Sequence, residues 1–196
     1  MSEKKTFERP FIGTSILEGV VLLFSRDGSY STILEIRNKA LQHAADPRDY
    51  EDYHQLLGQC IKLLGPHHIL QKTDIIAQKR YEPPASEPDG DYLEKQYFEH
   101  FKGRPYRTLT TLLTITRQRP KGRFFQHDPK ELREFIQKIH KVCDVYSAAR
   151  LPARLLGEPD IQRLHDRFVA FNFSDEQYAF SNAIASSVKL GMLEAR

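Results

Sequence analysis

The stretch GVVLLFSRDGSYSTILEI, Gly19–Ile36, decides the fold class. An apolar run ends at Phe24, Asp27-Gly28 supplies the turn signal, and alternation resumes over Ser31–Ile36 through Ile33 and Leu34. Asp-Gly readily gives the positive φ that hairpin turns need, so the pattern predicts a β-hairpin. Its first strand is expected to run unbroken from Ile12 to Phe24. A hairpin at this point rules out a purely parallel sheet.

Downstream, Asp46-Pro47 predicts a helix start, with the aspartate as N-cap and proline at the first helical position. Tyr50, Tyr53, Leu57, Cys60, Ile61 and Leu64 follow at helical spacing as the expected buried stripe, and Gly65-Pro66 stops the helix. His68–Gln78 is strand-like, and the turn-rich Pro83–Gly90 leads to a second helix over about Asp91–Lys102. That helix is expected to bury Leu93, Tyr97, Phe98 and Phe101, and Gly103 followed by Arg104-Pro105 ends it. Thr108–Thr116 is the best strand, with Leu109, Thr111, Leu113 and Ile115 on one face. Asp128-Pro129 with Glu131 is the strongest helix start, followed by Leu132, Phe135, Ile136, Ile139, Cys143 and Tyr146. A shorter helix carries Ile161, Leu164 and Phe168, and residues from Asn172 to Arg196 show no clear period.

Strands separated by helices, opened by a hairpin, predict an α+β fold: a mixed, largely antiparallel sheet of about four strands packed by three to four helices. Residues 1–172 read as one domain and 173–196 as an arm or the start of a linker. With 40 % hydrophobic and 28 % charged residues, 196 residues suffice for a real core. Cys60 and Cys143 are too few for a disulfide framework and match no zinc spacing, which points to a reducing compartment. No stretch approaches the roughly 20 apolar residues of a membrane span. The opening MSEKKTFERP has no signal-peptide core.

The chemistry is read mostly by exclusion. Neither G-x-x-x-x-G-K-[ST] nor G-x-G-x-x-G occurs, so no P-loop is expected. The eight histidines lack the i, i+4 pairing that places two ligands on one helix face, and no metal or other cofactor is expected. There is no G-x-S-x-G elbow, and Cys143 sits on an apolar stripe despite His140 nearby. No catalytic residues are assigned.

Charge is the one positive signal. Phe101–Arg150 holds 12 Lys/Arg against 4 Asp/Glu, whereas the rest holds 17 against 22. Within it lies the connector Arg117, Arg119, Lys121 and Arg123, beside Phe124-Phe125. Basic residues next to aromatics suit DNA, an acidic protein suits them equally, and the two phenylalanines also suit a loop anchored to the core.

One segment carries a family likeness. KTDIIAQKRYEP (Lys72–Pro83), followed by LEKQYFEHFKGRPYRTLTTLLTIT (Leu93–Thr116), resembles the N-terminal region of the TraG-type conjugation ATPases of Bacteroidetes conjugative transposons. The matching positions are Lys72, Asp74, Tyr81, Pro83, His100, Phe101, Arg104, Pro105 and Thr116, and the likeness spans roughly Phe7–Ser174. The resemblance implies part of a type IV secretion machine. Full-length relatives are cytoplasmic ATPases that dock on the inner-membrane complex, with the P-loop domain following this region. It therefore implies a non-catalytic docking and assembly domain, peripheral to the inner membrane through its partners. Those partners would be inner-membrane secretion proteins or further copies of itself, with DNA contact as the alternative. By their chemistry alone, the same residues also serve structure. Arg104-Pro105 is a helix stop, Phe98 and Phe101 are core-sized, and Lys72 and Asp74 share one strand face.

Overall fold

The Asp27-Gly28 turn closes a hairpin, but the sheet begins one strand earlier than the sequence pattern implies. In the computed structural model, which describes residues 6–8, 11–37, 47–83, 92–119, 128–170, 172–173 and 192–194, Ile12–Phe24 is not one strand. Strands β2 (Gly13–Leu17) and β3 (Val20–Phe24) pair antiparallel about Glu18-Gly19. Both turn residues have positive φ, 50° and 78°, the geometry of a two-residue hairpin turn. Glycine takes that conformation freely and glutamate does not, so Glu18 hid the turn from a pattern reading. Before them, β1 (Thr6–Glu8) pairs with β8 (Met192–Glu194), so the C-terminal residues 192–194 return to the N-terminal ones.

Strand β4 (Tyr30–Ile36) is the organising element. Its first residues pair with β3, and its whole length pairs with β6 (Pro105–Arg117). The other half of its first edge is taken by β7 (Ala153–Leu155), a three-residue strand inside the expected connector LPARLLGEP. Strand β5 (His68–Arg80) then lies outside β6, giving the order β2-β3-β4-β6-β5, and every pairing is antiparallel. The fold is α+β with a largely antiparallel sheet, as expected, and it has more strands than about four because Glu18-Gly19 and β7 escape the pattern.

Helices cover both faces. Helices α1 (Pro47–Leu64) and α3 (Pro129–Ala148) bury Tyr53, Leu56, Cys60, Leu64, Phe135, Ile136, Ile139, Val142 and Tyr146 against Leu22, Leu34, Leu113 and Ile115. Helix α4 (Glu158–Ala170) covers the opposite face, where Ile161 meets Val21, Leu23 and Leu112. This explains the unbroken run Val20–Leu23: alternate residues enter different cores, so no polar position remains in it. Asp128 caps α3 by accepting from the Lys130 N–H at 2.9 Å. On α1 the expected stripe is corrected in two places. Tyr50 and Ile61 are exposed, and Leu56 is buried with Tyr53, Cys60 and Leu64, because the face turned to the sheet follows the 3, 4, 4 spacing of those four residues. Gly65, at φ 71°, ends the helix.

Candidate docking surface

The two longest strands outrun the sheet. Strand β4 stops pairing at Thr111, so among the described residues Ile75–Arg80 and Pro105–Thr110 pair only with each other. They form a two-stranded ribbon extending about 20 Å further. The ladder continues past the strand ends: the Tyr81 N–H donates to the Arg104 carbonyl at 2.9 Å, and Gly103 N–H to the Tyr81 carbonyl at 2.8 Å. Gly103, at φ 73°, turns the chain from α2 (Tyr92–Phe101) into β6.

Five of the motif residues meet at this ribbon tip. Tyr81 lies edge-on to Phe101 with ring centroids 6.5 Å apart. The Arg104 guanidinium stands over the other aromatic partner of the tip, 5.4 Å from the Phe101 ring centre, and reaches His100 Nδ1 at 3.5 Å. Pro105 opens β6 opposite Arg80, whose Nη1 donates to the Gly103 carbonyl at 3.3 Å. The aromatic and cationic groups thus fasten α2 to the ribbon. Lys72 and Asp74 lie elsewhere, about 30 Å and about 23 Å back along β5 from Tyr81. They contact each other on the face turned to α1, where Lys72 Nζ sits 5.8 Å from the Tyr53 ring centre and Thr111 Oγ1 donates to Asp74 Oδ1 at 2.6 Å.

The exposure of α2 overturns its expected packing. No residue of the helix is buried; Tyr92, Leu93 and Tyr97 are 71 %, 73 % and 59 % exposed, and only Phe98 and Phe101 are half-buried. A stripe of apolar residues marks a face that prefers to leave water, and sequence cannot say whether the cover comes from the same chain. Ile76, 68 % exposed, and Tyr106 add apolar surface on the ribbon itself. Both were missed as surface residues, since Ile76 reads as a strand interior and Tyr106 precedes the expected strand start.

The basic connector divides. Arg117 Nη1 donates to the Pro66 carbonyl at 3.1 Å, and Arg119, with only 17 % of its side chain exposed, lies 3.8 Å from Glu131. Arg117 is thus hydrogen-bonded within the fold, and Arg119 is drawn in beside Glu131. Lys121 and Arg123, with Phe124 and Phe125, fall outside the described residues.

A second apolar feature lies across the sheet. A groove of about 520 Å³ between the sheet and α4 is lined by Phe11, Ile33, Leu112, Leu164, His165 and Phe168, among others. His165 is buried there and lies edge-on to Phe11. Among the described residues no three His, Cys, Asp or Glu side chains gather as metal ligands, and no helix is long and apolar enough to cross a membrane. Burial pushes the Cys60 thiol up to about 11, with Cys143 adding to the effect, and raises Cys143 as well, the opposite of what a nucleophile requires. No protein-family model matches the chain, and no curated protein matches it.

Proposed function

We propose that the chain is a non-catalytic docking and assembly domain of a conjugative-transfer ATPase of the type IV secretion class, acting in the cytoplasm at the inner membrane through its partners. The observation that carries this reading is α2: a short amphipathic helix, held at the end of a two-stranded ribbon, with Tyr92, Leu93 and Tyr97 turned to solvent. A helix that packs only through Phe98 and Phe101 gains little from tertiary burial, so the apolar stripe left exposed on it suits a partner's groove. The residues that fasten it, Tyr81, Phe101 and Arg104, are among those that carry the resemblance to the conjugation ATPases. Partner contact therefore belongs to α2, and the motif residues position it.

DNA contact through Arg117, Arg119, Lys121 and Arg123 is the less favoured reading, because Arg117 and Arg119 already serve Pro66 and Glu131. Co-expression with the inner-membrane secretion proteins tests the choice. Capture of one of them by the wild-type chain, lost in Leu93→Gln/Tyr97→Gln, supports docking by α2. Capture unchanged in that variant sinks it. Salt-sensitive DNA binding that Lys121→Ala/Arg123→Ala abolishes would move the assignment to the connector.

A further inference from the structure

The outer edge of the sheet is β5, thirteen residues long, and among the described residues it pairs only with β6. Which of its backbone groups face outward follows from the two ends of the ladder. Tyr81 N–H bonds Arg104, and the His67 carbonyl accepts from the Gln118 N–H at 2.8 Å. Both continue the register that sets His68 against Arg117 and Arg80 against Pro105. Alternate residues of an antiparallel strand bond alternate neighbours, so odd-numbered positions face β6. The even-numbered ones, His68 through Arg80, turn their N–H and C=O groups away from β6. Natural sheets shorten or bulge such an edge, or place proline or charges in it, as with Lys72, Lys79 and Arg80 here. This one carries no proline, and its ladder to β6 runs without a bulge.

We propose that β5 pairs antiparallel with β5 of a second copy, with Thr73 on the two-fold axis, joining the two sheets. An isologous strand contact must place one residue opposite itself, and charge complementarity favours one choice. Centring on Lys72 or on Asp74 sets like charges face to face, and centring on Ile76 sets Lys72 against Arg80. Centring on Thr73 sets Lys72 opposite Asp74 of the second copy, twice, and Leu70 opposite Ile76, twice. The backbone accommodates this register, with Lys72 and Asp74 forming the hydrogen-bonded pairs and Thr73 a non-hydrogen-bonded one. The exposed Ile76 gains cover from Leu70, which already borders the larger core. The ion pairs, being partly exposed, contribute little to affinity and set the register, while the backbone ladder supplies the binding.

This contact deepens the assembly reading by defining how the chain meets itself, and it leaves α2 free for another partner. The test uses the full chain. Thr73→Cys should form a disulfide between copies under mild oxidation, identified by mass spectrometry of the linked peptide, since non-hydrogen-bonded cross-strand positions suit that bond. Gln71→Cys should not, because the two copies of residue 71 stand about 13 Å apart, beyond disulfide reach. By analytical ultracentrifugation the wild type should be a dimer and Ile76→Pro a monomer, as proline removes an outward N–H and leaves the bonds to β6 intact. Lys72→Asp should also favour monomer, and Lys72→Asp/Asp74→Lys should restore the dimer with the charges exchanged. A wild-type chain that stays monomeric, or Gln71→Cys linking as readily as Thr73→Cys, overturns the proposal. Capture of a secretion protein is read separately, through the α2 variant, so failure of the dimer leaves the docking result standing.

Discussion

Leu93→Gln probes the central claim about α2, because stability and docking should separate. Full burial of a leucine side chain is worth about 1.5–3 kcal/mol. Leu93 is 73 % exposed, so about a quarter of that, roughly 0.4–0.8 kcal/mol, is at stake. Glutamine has nearly the helix propensity of leucine, which removes backbone preference as a confounding cost. Ile139→Ala is the internal reference: Ile139 is fully buried, and truncation there should cost about 2–5 kcal/mol through lost transfer energy and the cavity left behind. Urea denaturation followed by far-ultraviolet circular dichroism measures both, provided the slope of free energy against urea is unchanged. The expected outcome is a midpoint for Leu93→Gln close to wild type and a large downward shift for Ile139→Ala. A loss above about 2 kcal/mol for Leu93→Gln would mean that other parts of this chain cover α2, and the case for a partner there would collapse.

Three further outcomes are expected. Asp128→Ala should lower stability by about 1 kcal/mol through loss of the α3 cap, measured as a shift in Tm, with Asp128→Asn close to wild type. The Arg154 guanidinium, followed by the Gly157 N–H and Arg163, holds the Asp160 carboxyl below its ordinary value of 3.8. A depressed folded-state pKa gives stability that is present above the unfolded value and lost as pH falls through the folded one. Arg154→Ala should therefore flatten the decline in stability below about pH 4, by no more than about 1 kcal/mol because Arg154 is largely exposed. A thiol reagent near neutral pH should reach half-buried Cys143 well before Cys60, with Cys60 reacting only as the chain unfolds; equal rates would contradict the packing of α1 on α3.

Much of the fold is legible in the sequence, and the failures have definite causes. Asp27-Gly28, Gly65, Gly103 and Asp128-Pro129 state their turns and caps in residues whose conformational preferences are strong, and each marks an element end in the structure. Glu18 adopts a left-handed conformation against its preference, held by the pairing of β2 with β3, so local chemistry could not announce it. Strand β7 is too short to show alternation and exists because β4 has an open half-edge to fill. The candidate site divides the same way. Tyr81, His100, Phe101, Arg104 and Pro105 are contiguous enough in sequence to be flagged together, and they meet at the ribbon tip. The solvent-facing stripe of α2 was misread because amphipathicity gives the direction of an apolar face and says nothing of what covers it. Arg119 looked like a free cation for want of any signal that Glu131 would stand beside it.

The divided edge of β4 sets a clock on the birth of this protein. Glu35 meets Arg154 across 119 residues of chain, so the strand cannot be completed until β7 has been made. At ribosomal speeds of about 5–20 residues per second, that interval is about 6–24 s. Meanwhile the β3–β4 hairpin, with Val20–Leu23 apolar on both sides, has only α1 to cover one face, since α3 is finished just before β7 and α4 follows it. The strand that organises the finished sheet is thus the one most exposed to wrong company while the sheet is being built.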